Sequence, residues 1–401
     1  MQFYIFAETD KTMEQLIAIF RRLLSITDVS YVRYLHDRIN WDDRMIGIVG
    51  PRGVGKTTLL LQHIKLYLPV EETLFVNADS LYFTEHSLLA LTDEFYKNGG
   101  KYLFIDEIHK YDNWSQELKN IYDSYPDIKV AFTGSSVLDI YKGSADLSRR
   151  VLSYYMPGLS FREYLALTRQ VQLPVFSLDE ILSLKVEFPA EIRPIALFKE
   201  YLSKGYYPFS AASDFHERLR NIINLTVETD IPSYAGLNIA KTKKIKQLLY
   251  IISQSVPFKP NFSKLGQMID INRNDVSDML YYLERAGVIA QLRNKVEGIR
   301  LLGKAEKIYL GNTNLIYALA EDKPDIGNMR ETFFFSQMQI NNRIFSSEKV
   351  DFQIGDYSFE VGGRKKGMKQ IEGLGNAYIV KDDIEYGYKN TIPLWHFGFN
   401  Y

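Results

Sequence analysis

The 401-residue sequence contains no cysteine. That absence excludes disulfides, thiol catalysis, cysteine-ligated zinc and iron–sulfur clusters. With 25 glycines and 13 prolines it is too poor in both for a collagen-like or low-complexity chain. No apolar run approaches the roughly 18 residues that a membrane-crossing helix needs. Neither sign of charge dominates: 48 Lys and Arg against 49 Asp and Glu leave a net charge of -1. A histone-like basic binder is excluded, although a local basic patch is not. The N-terminus has no basic start and reaches Glu8 and Asp10 early, unlike a secretory leader, so a cytoplasmic location is the expectation.

What is present is ordinary globular material, 46% hydrophobic and 24% charged. The 28 tyrosines and 24 phenylalanines point to an aromatic-rich core. The length suggests two or three domains. Thr12 and Gln15 fit a capping box, with Leu16, Phe20, Leu23 and Leu24 at helical spacing behind it. A short helix is expected around Tyr31–Ile39. Compact apolar runs at Met45–Val49, Thr73–Asn77, Tyr102–Asp106 and Lys129–Thr133 alternate with helical patterns at 55–68, Ser87–Lys97 and Trp114–Asp123. A fifth strand is expected at Arg150–Tyr155. Continuous apolar strands alternating with helices argue for a parallel α/β sheet covered on both faces. After Pro157-Gly158 the pattern turns helical, with a loop at about 170–178, then becomes α+β beyond residue 330.

Gly50-Pro51-Arg52-Gly53-Val54-Gly55-Lys56-Thr57 fits G-x-x-x-x-G-K-[ST] at every fixed position. The glycines let the backbone curl so that successive N–H groups face a phosphate. Lys56 is expected on the β- and γ-phosphates, the Thr57 hydroxyl on Mg²⁺, and Thr58 near the α-phosphate. The following helix adds its positive N-terminal dipole. Asp106-Glu107 follows an apolar strand at once. Asp106 is the candidate Mg²⁺ residue, through the ion's water shell, and Glu107 the candidate for orienting the attacking water. His109 fits either a place beside that site or an ordinary surface position. Val130–Ser136 reads as a strand ending in small polar residues, so Ser135 or Thr133 is a candidate contact to the γ-phosphate or that water. Arg149-Arg150 is a candidate arginine for the transition-state charge, in cis or from a neighbouring subunit.

GPRGVGKTTLL, YLFIDEIHK, FTGSS and SRRVLSYYMPGLSFREYL, in this order, resemble prokaryotic AAA-family ATPases with a C-terminal domain of unknown function. The resemblance implies an AAA-type sheet with Asp106-Glu107 as Walker B, a polar sensor near Ser135 and an arginine near Arg149-Arg150. It also implies a preference for ATP, a winged-helix region and a restriction-endonuclease-like domain.

Ser263 is a candidate cap for a helix bearing Leu265, Met268 and Ile269. A turn at 270–272 leads to a second helix at about 274–286, with Val276, Met279, Leu280 and Leu283 inward and Gly287 closing it. Val288–Leu292 then reads as a wing strand. Arg273, Asn274, Ser277 and Arg285 are the candidate DNA contacts, with Lys241, Lys243, Lys244 and Lys246 upstream. Asp275, Asp278 and Glu284 on the same helix oppose phosphate, and such units also bind proteins, so both partner classes stay open.

Residues 350–361 read as a β-hairpin with a Gly355-Asp356 loop. That register sets Asp351 opposite Glu360, two carboxylates that a divalent metal would reconcile. The pattern resembles a restriction-endonuclease-like site, with Glu331 as the earlier helical acid. Gly362 stands where that pattern has lysine, leaving Lys365 or Lys366 to reach back, so a degenerate nuclease fold is the expectation.

The fold expected is α/β: an AAA-type P-loop NTPase parallel sheet, then a helical and winged-helix region, then a small α+β restriction-endonuclease-like domain. The boundaries are 1–158, 159–255, 256–325 and 326–401. The expected activity is ATP binding and hydrolysis with Mg²⁺, by a switch or motor whose C-terminal half contacts DNA. The alternatives are a nucleotide-controlled protein-interaction module and an ATP-gated nuclease. The expected partners are ATP and either DNA or a protein, with a homo-oligomer left open and no membrane.

Overall fold

In the computed structural model the chain divides into two compact units, Met1–Pro157 and Gly158–Tyr401. The structure describes residues 2–134, 147, 149–189, 192–295, 305–320 and 324–401, with backbone only for 2–12.

In the first unit five strands form one sheet: β1 Met45–Val49, β2 Thr73–Asn77, β3 Tyr102–Asp106, β4 Lys129–Gly134 and β5 Leu152–Tyr155. Their order is β2-β3-β4-β1-β5 and every pairing is parallel. Strand β1 is buried at all five positions, as expected of a strand covered on both faces. The register sets Asn77 beside Asp106 and Val49 beside both Gly134 and Tyr155. All carboxyl ends therefore share one edge, where open α/β sheets place ligands. Helices Lys56–Tyr67, Leu88–Lys97 and Trp114–Ser124 connect the strands. Ser87 caps the second by accepting a hydrogen bond from the Ala90 amide.

Two expectations are corrected in this unit. The first helix runs from Gln2 to Ile26, so Thr12 lies inside it and starts nothing. The stretch Tyr31–Ile39 contains only a 3₁₀ helix, Tyr34–Arg38.

The second unit combines helices with two sheets. Helices Phe262–Ile269 and Arg273–Arg285 are joined by a short turn and followed by an antiparallel pair, β6 Ile289–Arg293 and β7 Ala305–Leu310. The first of these helices is capped by Asn261, whose side chain accepts from the Lys264 amide; Ser263, the expected cap, sits within the first turn. Asn272 caps the second by accepting from the Asp275 amide.

Helix Ile326–Met338 packs on a mixed sheet ordered β12-β11-β10-β9-β8. Its strands are β8 Ile344–Phe345, β9 Phe352–Ile354, β10 Tyr357–Gly362, β11 Ala377–Lys381 and β12 Thr391–Pro393. The hairpin register pairs Tyr357 with Ile354 and Phe359 with Phe352. Gly355 turns the chain with φ 57, which an L side chain adopts only under strain.

One core joins distant parts of this unit. Phe161, Phe198 and Tyr201 share it with Leu292 and Tyr309, and with Phe333, Phe352, Trp395 and Phe399. The segments 159–255, 256–325 and 326–401 thus each contribute side chains to a common interior, beside a smaller cluster of Val350, Ile371, Ala377 and Ile379.

Candidate nucleotide site and a second carboxylate cluster

The loop between β1 and helix Lys56–Tyr67 needs backbone angles that side chains resist. Gly55 has φ 97 and stands at the helix start. A Cβ on Gly50 would lie 2.2 Å from the Met156 carbonyl oxygen, so no other residue fits there. Lys56 is 6% exposed, and its Nζ donates to the Gly50 and Pro51 carbonyls at 2.9 and 2.8 Å. The ammonium is therefore held across the loop.

The tip of β3 supplies the acids. Thr57 Oγ1 donates to Asp106 Oδ2 at 2.8 Å. Thr133, buried on β4, donates its hydroxyl proton to Asp106 Oδ1 and accepts from the Glu107 amide at 3.1 Å. Sequence reasoning put Thr133 near the phosphate or water; the structure makes it the brace between the two acids. Glu107 has φ 54 and ψ 40, a left-handed conformation that non-glycine residues rarely adopt and that clusters at functional sites. Its carboxylate lies 3.5 Å from Arg52 Nη1 and 4.0 Å from His109 Nε2. The His109 side chain is buried, which excludes the surface reading. A hydroxyl and a carboxylate 2.8 Å apart beside a phosphate loop form a hard-oxygen donor pair suited to Mg²⁺. Ser135 lies outside the described residues.

Arg150 is not at this edge. Leu152 pairs with Ile46 in the parallel sheet, so Arg150 precedes the amino end of β5, opposite Asp106. There it grips Asp123 through Nε and Nη2, both at 3.0 Å. The Arg150 hydrogen bond in turn lowers the Asp123 pKa below its ordinary value. The expectation of an arginine acting in cis from this residue is corrected, because a residue before a parallel strand lies at the wrong end. Arg149 is exposed.

The expected second metal site is also corrected. Glu331, Asp351 and Glu360 each meet an internal donor. Lys307 Nζ lies 3.1 Å from Glu331 Oε2 and 3.2 Å from Asp351 Oδ1. Tyr309 donates to Glu331 at 2.8 Å, and the Val361 amide to Asp351 at 3.0 Å. Lys366 reaches back to Glu360 at 2.5 Å, its stem over Gly362. Burial, then the Asp351 charge, raises the Glu331 pKa; Lys307 and Tyr309 act against that. Burial works against the Lys307 charge, but Glu331 and Asp351 outweigh it and raise that pKa. Among the described residues no group of three or more His, Asp or Glu is arranged to hold a metal ion. Sequence reasoning missed Lys307 and Tyr309, which lie on β7, far from the hairpin in the chain.

On helix Ile239–Ser255, just upstream of the helical pair, the basic run is largely committed. Lys241 pairs with Asp275 at 3.0 Å, Lys244 donates to the Ile269 carbonyl at 2.5 Å, and Lys246 pairs with Glu228. Lys243, Arg273, Asn274 and Ser277 are exposed.

The family model described as "AAA domain" matches residues 42–165. That segment is similar to AAA-type P-loop domains and contains the parallel sheet, loop and acidic strand tip described above. A second family model, described as a domain of unknown function (DUF8612), matches residues 195–325. An uncharacterised protein of Methanocaldococcus jannaschii is 24% identical over 284 residues, 66% of this chain and 60% of that protein. The match thus spans less than two thirds of the relative's length.

Among solved structures, Caenorhabditis elegans PCH-2 is similar at 17% identity and a TM-score of 0.25, covering 67% of this chain and 68% of that one. AMPPCP-bound DnaA from Aquifex aeolicus is similar at 10% identity and a TM-score of 0.29, covering 66% and 85%. Likeness this distant transfers no function. Among the described residues no helix is long and apolar enough to cross a membrane.

Proposed function

We propose that the chain is an ATP-binding and ATP-hydrolysing switch. The observation that carries this reading is the chain of contacts from Thr57 through Asp106 and Thr133 to Glu107, at the carboxyl edge beside the phosphate loop. In this reading the loop Gly50, Pro51, Arg52, Gly53, Val54 and Gly55 wraps the phosphates, with backbone N–H groups from every residue but Pro51, which has none, and Thr58 borders the α-phosphate. Lys56 leaves the loop carbonyls for the β- and γ-phosphates. Thr57 and Asp106 hold Mg²⁺, which neutralises charge on the transferring phosphoryl group. Glu107 orients the attacking water, with Arg52 and His109 beside its carboxylate. An arginine completing this site would come from a second copy, with Arg149 the more accessible of the pair.

Steady-state ATP hydrolysis by wild type and Glu107→Gln tests the reading. Mg²⁺-dependent turnover lost in the variant supports it, and wild type that binds no ATP sinks it. Turnover per chain that rises with protein concentration would place an arginine in trans.

The ion pairs of Lys241 and Lys246, and the hydrogen bond from Lys244 to the Ile269 carbonyl, favour a protein partner over DNA for this region, because phosphate would have to compete for those ammonium groups. Exposed Lys243 and Arg273 carry the DNA reading. Salt-dependent duplex binding lost in Lys243→Ala would favour DNA. Partner capture that differs between ATP and ADP, with no duplex binding, would favour protein. Lys307 between Glu331 and Asp351 argues against a nuclease, although Lys366, reaching back to Glu360, stands where that pattern needs a lysine.

A further inference from the structure

Arg33 lies outside every motif of the phosphate loop, yet it is buried behind it. It precedes the 3₁₀ turn Tyr34–Arg38 in an extended conformation and is 6% exposed. Its Nη1 donates to the Val54 carbonyl at 2.8 Å, and its Nη2 to the Pro157 carbonyl at 3.0 Å. Val54 is in the middle of the loop, and Pro157 is the last residue of the first unit. We propose that Arg33 is a positioning residue for nucleotide binding, which sets the shape of the phosphate loop through these two carbonyls without touching the nucleotide. The inference rests on the ATPase reading above.

Peptide geometry carries the argument. The Val54 carbonyl and the Gly55 N–H belong to one planar trans peptide and point in opposite directions. Fixing the carbonyl toward Arg33 therefore aims the Gly55 N–H to the other side. In a phosphate loop that side is the anion. Gly55, with φ 97, has no side chain to hold this plane, so the orientation has to be imposed from outside. A charged donor on a neutral carbonyl makes one of the stronger hydrogen bonds available for this.

The brace has two further supports. Gln62, on the helix that follows the loop, donates to the Asp28 and Tyr31 carbonyls at 2.7 and 2.9 Å. The segment bearing Arg33 is thus tied to the same helix that the loop begins. At the other end, Gly50 lies against the Met156 carbonyl. The start of the loop rests on Met156 and its middle, through Arg33, on Pro157. The start and the middle of the curl are referred to one dipeptide. A planar fork reaches two carbonyls at once, whereas a lysine ammonium brings a point charge of different geometry.

The test is ATP titration by calorimetry of wild type, Arg33→Ala, Arg33→Lys and Lys56→Ala, with melting curves for each. Arg33→Ala is expected to weaken ATP binding about 10-fold, roughly a tenth of the affinity. In kinetics it should raise KM more than it lowers kcat. Arg33→Lys should fall between. Guanidinium at a few millimolar, far below denaturing concentrations, should restore part of the affinity of Arg33→Ala and none of Lys56→Ala. A purely structural arginine would not give that selective rescue. ATP binding by Arg33→Ala within twofold of wild type would overturn the proposal. So would a loss that guanidinium leaves unchanged, or, if the alanine variant does not fold, an Arg33→Lys protein with wild-type affinity. Wild type that binds no ATP would instead remove the ATPase reading on which this one stands.

Discussion

The two units each gather carboxylates beside a strand end, and Asp106 in the first is treated in the opposite way from those of the second. Asp106 takes hydrogen bonds from two neutral hydroxyls, Thr57 and Thr133. Glu331, Asp351 and Glu360 face ammonium groups, Lys307 between the first two and Lys366 on the third. Neutral donors fix a carboxylate in place and leave its charge to be answered by an incoming cation. Ammonium donors fix it and cancel the charge together. Two acids in facing register are thus a weak sign of a metal site, because the sign of the nearest donor decides what the acids do.

The comparison is most sharply tested at the nucleotide site. Glu107→Gln should lower ATP turnover by about 1,000-fold with ATP binding retained, within the usual range for losing a group that handles the reacting water. Lys56→Ala should weaken ATP binding by about 100-fold in calorimetric titration, as expected when a charge-assisted phosphate contact is lost. Neither change should alter the melting of the second unit.

At the other cluster, Lys307→Met should leave ATP turnover per chain unchanged. It should cost about 2 kcal/mol of stability by denaturant melting, less than for a wholly buried pair because the cluster keeps some solvent contact. Its pH dependence has a definite sign. Without Lys307 the folded-state pKa of Glu331, already above its ordinary 4.5, rises further. A carboxyl raised in the folded state contributes stability that is fully present below its unfolded pKa and lost as pH rises through the folded one. The deficit of the variant should therefore be larger at pH 8 and shrink toward pH 4.5. If added Mn²⁺ raises the melting temperature of Lys307→Met and not of wild type, the lysine alone separates the two clusters. The smallest effect is expected for Arg150→Ala. Its solvent-exposed pair with Asp123 should add little to stability in denaturant melting, with kcat unchanged. A collapse of kcat would show that this arginine reaches another copy's site.

What the sequence made legible was local or periodic. The phosphate loop is eight contiguous residues, and the acidic strand tip follows directly from an apolar run. The hairpin register followed from a two-residue turn with Gly355 at its start. The wrong end assigned to Arg150 was also readable, since a residue just before a parallel strand faces away from the carboxyl edge. The groups that decide chemistry across the chain left no such trace. Arg33 lies 21 residues from Val54 and 124 from Pro157. Lys307 lies 24 residues from Glu331 and 44 from Asp351. No spacing rule brings such pairs together; the packing of the core does. The domain boundaries drawn at 255 and 325 show the same limit. Composition changes there, while side chains from all three segments share one cluster.

The Thr133 hydroxyl has only one proton to give. The Glu107 amide can only donate, so the lone pair of Thr133 is taken and its proton is directed to Asp106. Thr57 likewise points its proton at the other oxygen of the same carboxylate. The direction of every hydrogen bond in the chain is thereby fixed from the backbone outward. Both carboxyl oxygens are addressed as acceptors, and the remaining lone pairs of Thr57 are what an arriving ion would meet. Polarity at the strand tip is set by an amide that cannot reverse, before any nucleotide is bound. Thr133→Val, which keeps the shape and removes the hydroxyl, would release that direction without moving the backbone that imposes it.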